Sequence, residues 1–242
     1  MMFFLNEIIF HHPFTCMIAG PSQSGKSTLL LNILRYNNKL IYPAPKKIIY
    51  CHATNSLSSL DIKNIKPSIE LHKGLPDVTL INDNTLIILD DLMNEVENNQ
   101  QLVNIFTRES HHSNISIFFI TQNLFSKGKY SRTIALNCQY LIVMNNPRDK
   151  SQINYLAKQM YPSNSKFLIK SYEDATSKRF GYLFLDLTQR IHNELRVQTN
   201  ITPNEFPRII YGVNVDIFKL KHDDFNNLSE ILTKYVFKSF IE

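Results

Sequence analysis

Residues 14–35 read FTCMIAGPSQSGKSTLLLNILR, and this stretch decides the fold class of the chain. The apolar run from Phe14 to Ala19 predicts a buried strand, and the leucine-rich segment from Ser27 to Arg35 predicts a helix. Between them, Gly20 to Ser27 reads GPSQSGKS, which matches the pattern GxxxxGK[ST]. A strand, a glycine-bearing loop and a helix in this order form the context that a phosphate-binding loop requires.

Each part of this loop has a physical reason to bind phosphate. Gly20 and Gly25 let the backbone curl so that successive N–H groups point at phosphate oxygens. Lys26 is suited to neutralise the β- and γ-phosphates, the Ser27 hydroxyl is suited to bind Mg²⁺, and the helix N-terminus adds a favourable dipole. The residues predicted to contact a nucleotide are Gly20, Pro21, Ser22, Gln23, Ser24, Gly25, Lys26, Ser27 and Thr28.

Two carboxylates end the strongest predicted strand, TLIILD, which runs from Thr85 to Asp90. Asp90 suits a Mg²⁺ ligand, and Asp91 suits a general base that polarises an attacking water. Gln122 ends a second apolar run, SIFFITQ, and is predicted to sense the γ-phosphate or the attacking water. The alternative for each of these residues is a polar side chain that merely ends a strand or caps the next segment.

Short apolar runs alternate with helical patterns, which predicts a mostly parallel sheet flanked by helices. We predict a P-loop NTPase of the additional-strand (ASCE, RecA-like) type, in which the strand ending at Gln122 is the additional one. A P-loop ATPase domain is predicted over 1–202 and a C-terminal strand/helix extension over 203–242, with a helix from Phe225. The other predicted elements are strands at 46–52, 138–144 and 181–188 and helices at 94–107, 149–160 and 164–176.

Composition excludes several classes of protein. With 43% hydrophobic and 19% charged residues, the chain can bury a core and is not generally disordered. The three cysteines, Cys16, Cys51 and Cys138, form no CxxC pair, which disfavours a disulfide framework or a zinc site. No apolar run approaches the ~20 residues of a membrane span, and the N-terminus lacks a secretory signal. We expect a soluble intracellular protein.

Positive charge is concentrated in the middle of the chain. Residues 122–212 carry 13 Lys/Arg against 6 Asp/Glu, whereas residues 1–121 carry 9 against 10. This segment favours sequence-independent contacts with nucleic-acid phosphates, and a solvated basic face is the alternative. Its basic residues and the tyrosines between them include Lys127, Lys129, Arg132, Arg148, Lys150, Lys158, Lys166 and Lys170, with Tyr130, Tyr155, Tyr161 and Tyr172.

Arg108 and Arg132 lie on either side of the strand that ends at Gln122. Each is either a solvated surface residue or an arginine that reaches the nucleotide of a neighbouring subunit, and we favour Arg108 for the catalytic role. The adjacent His111 and His112 would point to opposite sides of an extended segment, which disfavours joint metal binding.

Several stretches together resemble the genome-packaging ATPases of the FtsK–HerA superfamily, over roughly residues 14–202. They are GPSQSGKS, LIILDDLM, SHHSNISIFFITQNLF, LNCQYLIVMNNPRDKSQINYLAKQMYP and LRVQTNI. The similarity is greatest to the packaging ATPases of Maverick/Polinton elements, virophages and poxvirus-type viruses. It implies Gly20 to Ser27 as the nucleotide loop, Asp90 and Asp91 as the Mg²⁺ and catalytic pair, and Gln122 as the sensor.

The resemblance also implies the function and the partners. The implied function is that of an ATP-driven, homo-oligomeric ring that moves double-stranded DNA into a preformed capsid. The implied partner is a capsid or portal-vertex protein, and no association with a membrane is implied. The implied location is the host nucleus, a cytoplasmic virus factory or the virion.

The residues leave one enzymatic alternative open. A GTPase is disfavoured because no NKxD motif occurs and Asp90 begins no DxxG. A phosphotransferase acting on a small nucleotide remains the alternative to an ATPase. A degenerate binding module is less favoured because Lys26, Ser27, Asp90 and Asp91 are all intact.

Overall fold

The computed structural model describes residues 8–53, 62, 65–76, 84–92, 95–96, 99–100, 103, 114–125, 129–212 and 235–239. The chain divides into two compact units, with the boundary between Met144 and Asn145. Within the described residues, no helix has the length and apolar character needed to span a bilayer. The predicted boundary at residue 202 stays a prediction.

The first unit is built on parallel strand pairs. Its strands are β1 (Phe10–His11), β2 (Thr15–Ala19), β3 (Ile41–Tyr42), β4 (Lys47–His52), β5 (Ile69–Lys73), β6 (Thr85–Asp90), β7 (Ile115–Thr121) and β8 (Tyr140–Met144). Strands β1 and β3 pair by themselves. The main sheet has the order β8-β2-β7-β6-β4-β5, and every neighbouring pair in it is parallel.

This strand order confirms the predicted fold class. Strand β7 lies between β2, which leads into the phosphate loop, and β6, which ends in Asp90. Every residue of β2, β6 and β7 is buried, as expected for central parallel strands that are covered on both faces. The runs of apolar residues that predicted these strands therefore reflect burial on two sides.

Among the residues of this unit that the structure describes, the helices with complete bounds are α1 (Lys26–Arg35), α2 (Asn37–Leu40) and α3 (Ser131–Asn137). Helix α1 starts after Gly25, and its buried residues are Leu29, Leu30, Leu31, Ile33 and Leu34. All of them except Leu31 have the i, i+4 spacing that places residues on one side of a helix. The predicted helix at 94–107 is described at only a few positions, of which Glu95, Val96, Gln100 and Val103 are helical.

The sequence of residues 53–79, which contains Pro67, Gly74 and Pro76, predicts a loop with one short helix, and strand β5 shows that this prediction is wrong at 69–73. Only Ile69 and Leu71 are apolar in its sequence IELHK, and four of its five residues are exposed. Such a strand lacks an apolar signature because its pairing with β4 depends on backbone hydrogen bonds.

The three cysteines of the unit are buried and free, and burial raises the pKa of the Cys51 and Cys138 thiols to about 12.

The second unit combines a helix pair with a mixed sheet. Its elements are α4 (Ser151–Met160), α5 (Ser165–Ala175), β9 (Tyr182–Asp186), a turn of 3₁₀ helix (Asn193–Leu195), β10 (Val197–Thr199), β11 (Arg208–Gly212) and β12 (Tyr235–Ser239). Strand β10 pairs antiparallel with β9 and β11, and β11 pairs parallel with β12. The predicted helices at 149–160 and 164–176 and the strand at 181–188 are confirmed.

The helix predicted from Phe225 is wrong at 235–239, where the chain forms β12; residues 225–234 lie outside the described residues. A short run such as YVFKS fits either a helix or a strand by periodicity, and a pairing partner decides between them. Strand β11 supplies that partner over five residue pairs. Lys238 of β12 also forms an ion pair with Asp174 of α5, with Nζ 2.7 Å from Oδ2.

Stability of the first unit is expected to decrease below about pH 6.5 because of His12. This ring is buried, its Nδ1 lies 2.5 Å from Ser116 Oγ, and the Ser116 hydroxyl also accepts from the Phe14 N–H. Burial lowers the pKa of His12 below 6.5 and outweighs a hydrogen bond with the Asn114 backbone. As the pH falls, the unfolded chain therefore takes up a proton before the folded chain does, and the free energy of unfolding decreases.

Urea denaturation between pH 5 and 8 measures this effect. The free energy of unfolding should change by at most about 1.4 kcal/mol per pH unit, the limit for one proton. Below the pKa of His12 in the folded protein, both states are protonated and the free energy no longer changes with pH through this group. His12→Gln should remove this contribution, whereas the same change at the exposed His72 should retain it. Equal pH profiles for wild type and His12→Gln would contradict the prediction.

Candidate nucleotide-binding site

Three neighbouring strands bring the predicted site residues to one edge of the sheet. Ala19 of β2 pairs with Thr121 of β7, and Ile120 of β7 pairs with Asp90 of β6. The loop therefore leaves β2 beside the end of β7, where the Gly20 N–H donates to the Thr121 carbonyl at 3.1 Å. The carboxyl ends of parallel strands are where α/β proteins bind their ligands.

The loop conformation requires its glycines for two different reasons. Gly25 has φ +100°, in the left-handed region that glycine adopts without strain. Gly20 is required by close packing, since a Cβ there would lie 2.6 Å from Met144 Cβ and 2.9 Å from Ser24 Oγ. Gln23 also has a positive φ, of 64°. The backbone therefore curls between the strand and the helix, as the sequence pattern predicted.

The Lys26 ammonium group is held against the loop. Its Nζ donates to the carbonyl oxygens of Gly20 at 2.5 Å and Pro21 at 2.8 Å. Burial lowers the pKa of Lys26, and the negative charges of Asp90 and Asp91 oppose that shift. The lysine and both carboxylates are thus close enough to interact electrostatically.

The two carboxylates differ in their surroundings. Asp90 is 7% exposed and accepts a hydrogen bond from the Tyr50 hydroxyl. Asp91 is exposed and has a positive φ of 56°, which turns the chain sharply away from the strand. The Gln122 side-chain amide donates to Asp91 Oδ1 over 3.4 Å. Asp90 is thus fixed in the protein, while Asp91 faces solvent next to Gln122.

The chemistry of the loop and of Asp90 fits a magnesium nucleotide. The Ser24 Oγ is buried and has no hydrogen-bond partner among the described residues, and hydroxyl groups in such loops can donate to phosphate oxygens. Ser27 lies in the first turn of α1, and Asp90 supplies a carboxylate, the kind of oxygen ligand that Mg²⁺ prefers. The residues able to hold the cation are therefore Ser27 and Asp90.

Sequence reasoning missed two residues of β4 at this edge. The register pairs Tyr50 with Ile88 and His52 with Asp90, so Tyr50, His52 and Asp90 share a face of the sheet. The His52 ring is buried, and its Nδ1 has no hydrogen-bond partner among the described residues. The available signal was the pair of polar groups at positions i and i+2 near the end of a buried strand.

Several predicted residues lie elsewhere or outside the described chain. Arg108, His111, His112 and Lys127 fall outside the described residues. Arg132 is exposed near the start of α3. Among the tyrosines of the basic segment, Tyr155 is exposed, whereas Tyr172 is buried and its hydroxyl accepts from the Asn146 N–H at 2.9 Å. Tyr172 therefore belongs to the core of the second unit.

Solved structures with a similar fold share little sequence with this chain. The genome packaging NTPase B204 of Sulfolobus turreted icosahedral virus 2, in complex with AMPPCP, is 12% identical, with a TM-score of 0.50 over 77% of this chain and 96% of that chain. B204, the DNA-packaging ATPase from Sulfolobus turreted icosahedral virus, is 14% identical, with a TM-score of 0.49 over 78% and 97%.

The Legionella pneumophila ATPase DotB is 14% identical, with a TM-score of 0.35 over 55% of this chain and 40% of that chain. No protein-family model matches the chain, and no curated protein matches it. At this level of identity, the likeness to B204 in complex with AMPPCP concerns the fold alone. The chain therefore has a P-loop ATPase fold of the additional-strand type, which it shares with B204.

Proposed function

We propose that this protein is an ATP-hydrolysing motor that translocates double-stranded DNA into a preformed capsid. The observation that carries the proposal is the convergence of the phosphate loop, Asp90, Asp91 and Gln122 at one edge of the sheet. The motifs shared with FtsK–HerA packaging ATPases support it, as does the fold shared with the genome packaging NTPase B204. The nearer relation to Maverick/Polinton, virophage and poxvirus-type ATPases rests on the sequence motifs.

The proposed chemistry assigns one task to each group. The loop N–H groups and the Lys26 ammonium bind the phosphates of ATP, and Ser27 and Asp90 hold the cation. When bound, Mg²⁺ neutralises charge on the phosphate oxygens. Asp91 orients the attacking water and accepts its proton, and Gln122 holds the Asp91 carboxylate in place. The water oxygen bonds to the γ-phosphorus, and the bond to the bridging oxygen breaks, which releases ADP and phosphate.

The partners follow from the same proposal. Duplex DNA would contact the basic segment at 122–212, where Lys158, Lys166 and Lys170 are exposed. Such a motor acts as a homo-oligomeric ring at a capsid or portal-vertex protein, in the host nucleus, in a cytoplasmic virus factory or on the virion.

ATP turnover with and without duplex DNA tests the proposal. A translocating motor should hydrolyse ATP faster when duplexes of unrelated sequence are added. A phosphotransferase would instead require a small nucleotide acceptor and would not respond to duplex DNA. Absence of DNA stimulation, combined with phosphate transfer to a nucleotide, would replace the motor with that alternative.

DNA affinity is expected to be independent of sequence and to decrease with salt. Each phosphate contact contributes about −0.9 to the slope of log affinity against log salt concentration. Replacing Lys158, Lys166 and Lys170 by alanine should make the slope shallower by about 0.9 for each of these lysines that contacts phosphate. Titrations with unrelated duplexes at several salt concentrations measure this slope. Lys39 is an exposed lysine of the first unit, and Lys39→Ala is the matched control, which should leave the slope unchanged.

A neighbouring subunit is expected to complete the site with Arg108. In the best-studied cases, an arginine supplied in this way increases the rate by roughly 10³–10⁵. Arg108→Ala should therefore nearly abolish turnover in the assembled protein. Mixing Arg108→Ala with Lys26→Ala subunits should restore part of it, because an intact Lys26 can then face an intact Arg108. Normal turnover by Arg108→Ala would transfer the assignment to Arg132.

A further inference from the structure

The hydrogen bond between Tyr50 and Asp90 joins two buried side chains at the nucleotide edge of the sheet. Tyr50 is fully buried in β4, and its hydroxyl donates to Asp90 Oδ2. Because β4 and β6 are parallel and Tyr50 pairs with Ile88, the phenol reaches two residues further along β6, to its last residue, Asp90.

We propose that Tyr50 is a positioning residue for the metal-binding carboxylate of this ATPase. By donating to Oδ2, the phenol sets the rotation of the Asp90 carboxylate and thereby the direction in which its oxygens face the phosphate loop. This inference rests on the proposed function, since it assumes that Asp90 holds the cation.

Two physical reasons favour positioning over simple core packing. First, a buried carboxylate needs hydrogen-bond donors, because a charged oxygen that is removed from water without a partner is costly. Second, partners of this kind typically change metal affinity or activity by 10–100-fold when they are removed. A tyrosine that served only to fill volume could be replaced by phenylalanine without any effect on metal binding.

The test compares ADP affinity with Mg²⁺ and with EDTA, by calorimetry, in four proteins. These are wild type, Tyr50→Phe, Asp90→Asn and Tyr140→Phe. Tyr140 is the matched control: it is a buried tyrosine at the start of β8, and its hydroxyl accepts from the His11 N–H at 3.2 Å. Phenylalanine keeps the ring at both positions, and thermal unfolding tests whether each variant is folded.

Tyr50→Phe should reduce the Mg²⁺-dependent gain in ADP affinity by about 10-fold or more, with the affinity in EDTA unchanged. Tyr140→Phe should keep the wild-type gain. Electron paramagnetic resonance of Mn²⁺ bound with ADP supplies a second measurement of cation binding. Of the three variants, only Tyr50→Phe and Asp90→Asn should bind Mn²⁺ more weakly than the wild type.

The outcomes distinguish a failure of the role of Tyr50 from a failure of the metal site at Asp90. If Asp90→Asn loses the gain and Tyr50→Phe keeps it, the role of Tyr50 is wrong and the proposed function stands. If Tyr140→Phe reduces the gain as much as Tyr50→Phe, the effect is general destabilisation and the inference is overturned. If Asp90→Asn keeps the wild-type gain, the metal site is wrong, and the inference fails with it.

Discussion

Lys26→Ala is expected to reduce ATP turnover by at least about 10²–10³-fold, the range found when one preorganised electrostatic group is removed from an active site. The Lys26 ammonium is the cation that the loop holds, within hydrogen-bonding distance of the Gly20 and Pro21 carbonyls. Alanine there removes the positive charge that would meet the β- and γ-phosphates. The fold should persist, since the α1 side chains that build the core are leucines and isoleucine. Steady-state phosphate release measures the effect.

A matched control separates this loss from a general effect of removing a lysine. Lys39 lies in α2 of the same unit and is exposed, so Lys39→Ala should turn over ATP at the wild-type rate. Circular dichroism and thermal unfolding should show both variants folded. A folded Lys26→Ala protein with unchanged turnover would refute the assignment of the active site.

Asp91→Asn is expected to lower kcat by about 10²–10⁴-fold, the contribution typical of a general base. Asparagine has nearly the same shape but accepts a proton poorly, so the attacking water loses its activation. The affinity for the magnesium nucleotide should change little, because the cation is assigned to Ser27 and Asp90. Single-turnover hydrolysis and equilibrium binding of a non-hydrolysable ATP analogue measure the two quantities separately.

Asp90→Asn provides the contrast, since it should weaken the binding of Mg²⁺ in the nucleotide complex, whereas Asp91→Asn should slow only the chemical step. Glu70→Gln is the control for loss of a carboxylate: Glu70 is exposed on β5 and forms an ion pair with Lys47 at 3.0 Å. If Asp91→Asn hydrolysed ATP at the wild-type rate, the general base would have to be another residue.

The parts of the fold that could be predicted are those whose sequence carries its own physical signal. Strands β2, β4, β6, β7 and β8 are buried runs of apolar residues, and α1 has its leucines at helical spacing. The phosphate loop was predictable because only glycine tolerates the φ of Gly25 and the close approach of Met144 to Gly20. In each case the residues that predict the element lie close together in the chain.

The parts that could not be predicted depend on partners that are distant in the chain. Strand β5 is mostly exposed and is held by β4, and β12 is a strand because β11 pairs with it. Among the residues that the structure describes, the small strands β1 and β3 pair only with each other. Backbone pairing of this kind leaves almost no pattern in side-chain polarity.

The candidate site shows the same division. By itself, the sequence determined the loop, the two carboxylates and Gln122, because the binding of phosphate, cation and water restricts the residue types at those positions. Only the tertiary structure decided that Gln122 meets Asp91 and that Tyr50 donates to Asp90. The reason is that strand order and register, which bring residues 40 positions apart within hydrogen-bonding distance, arise from pairing across the sheet.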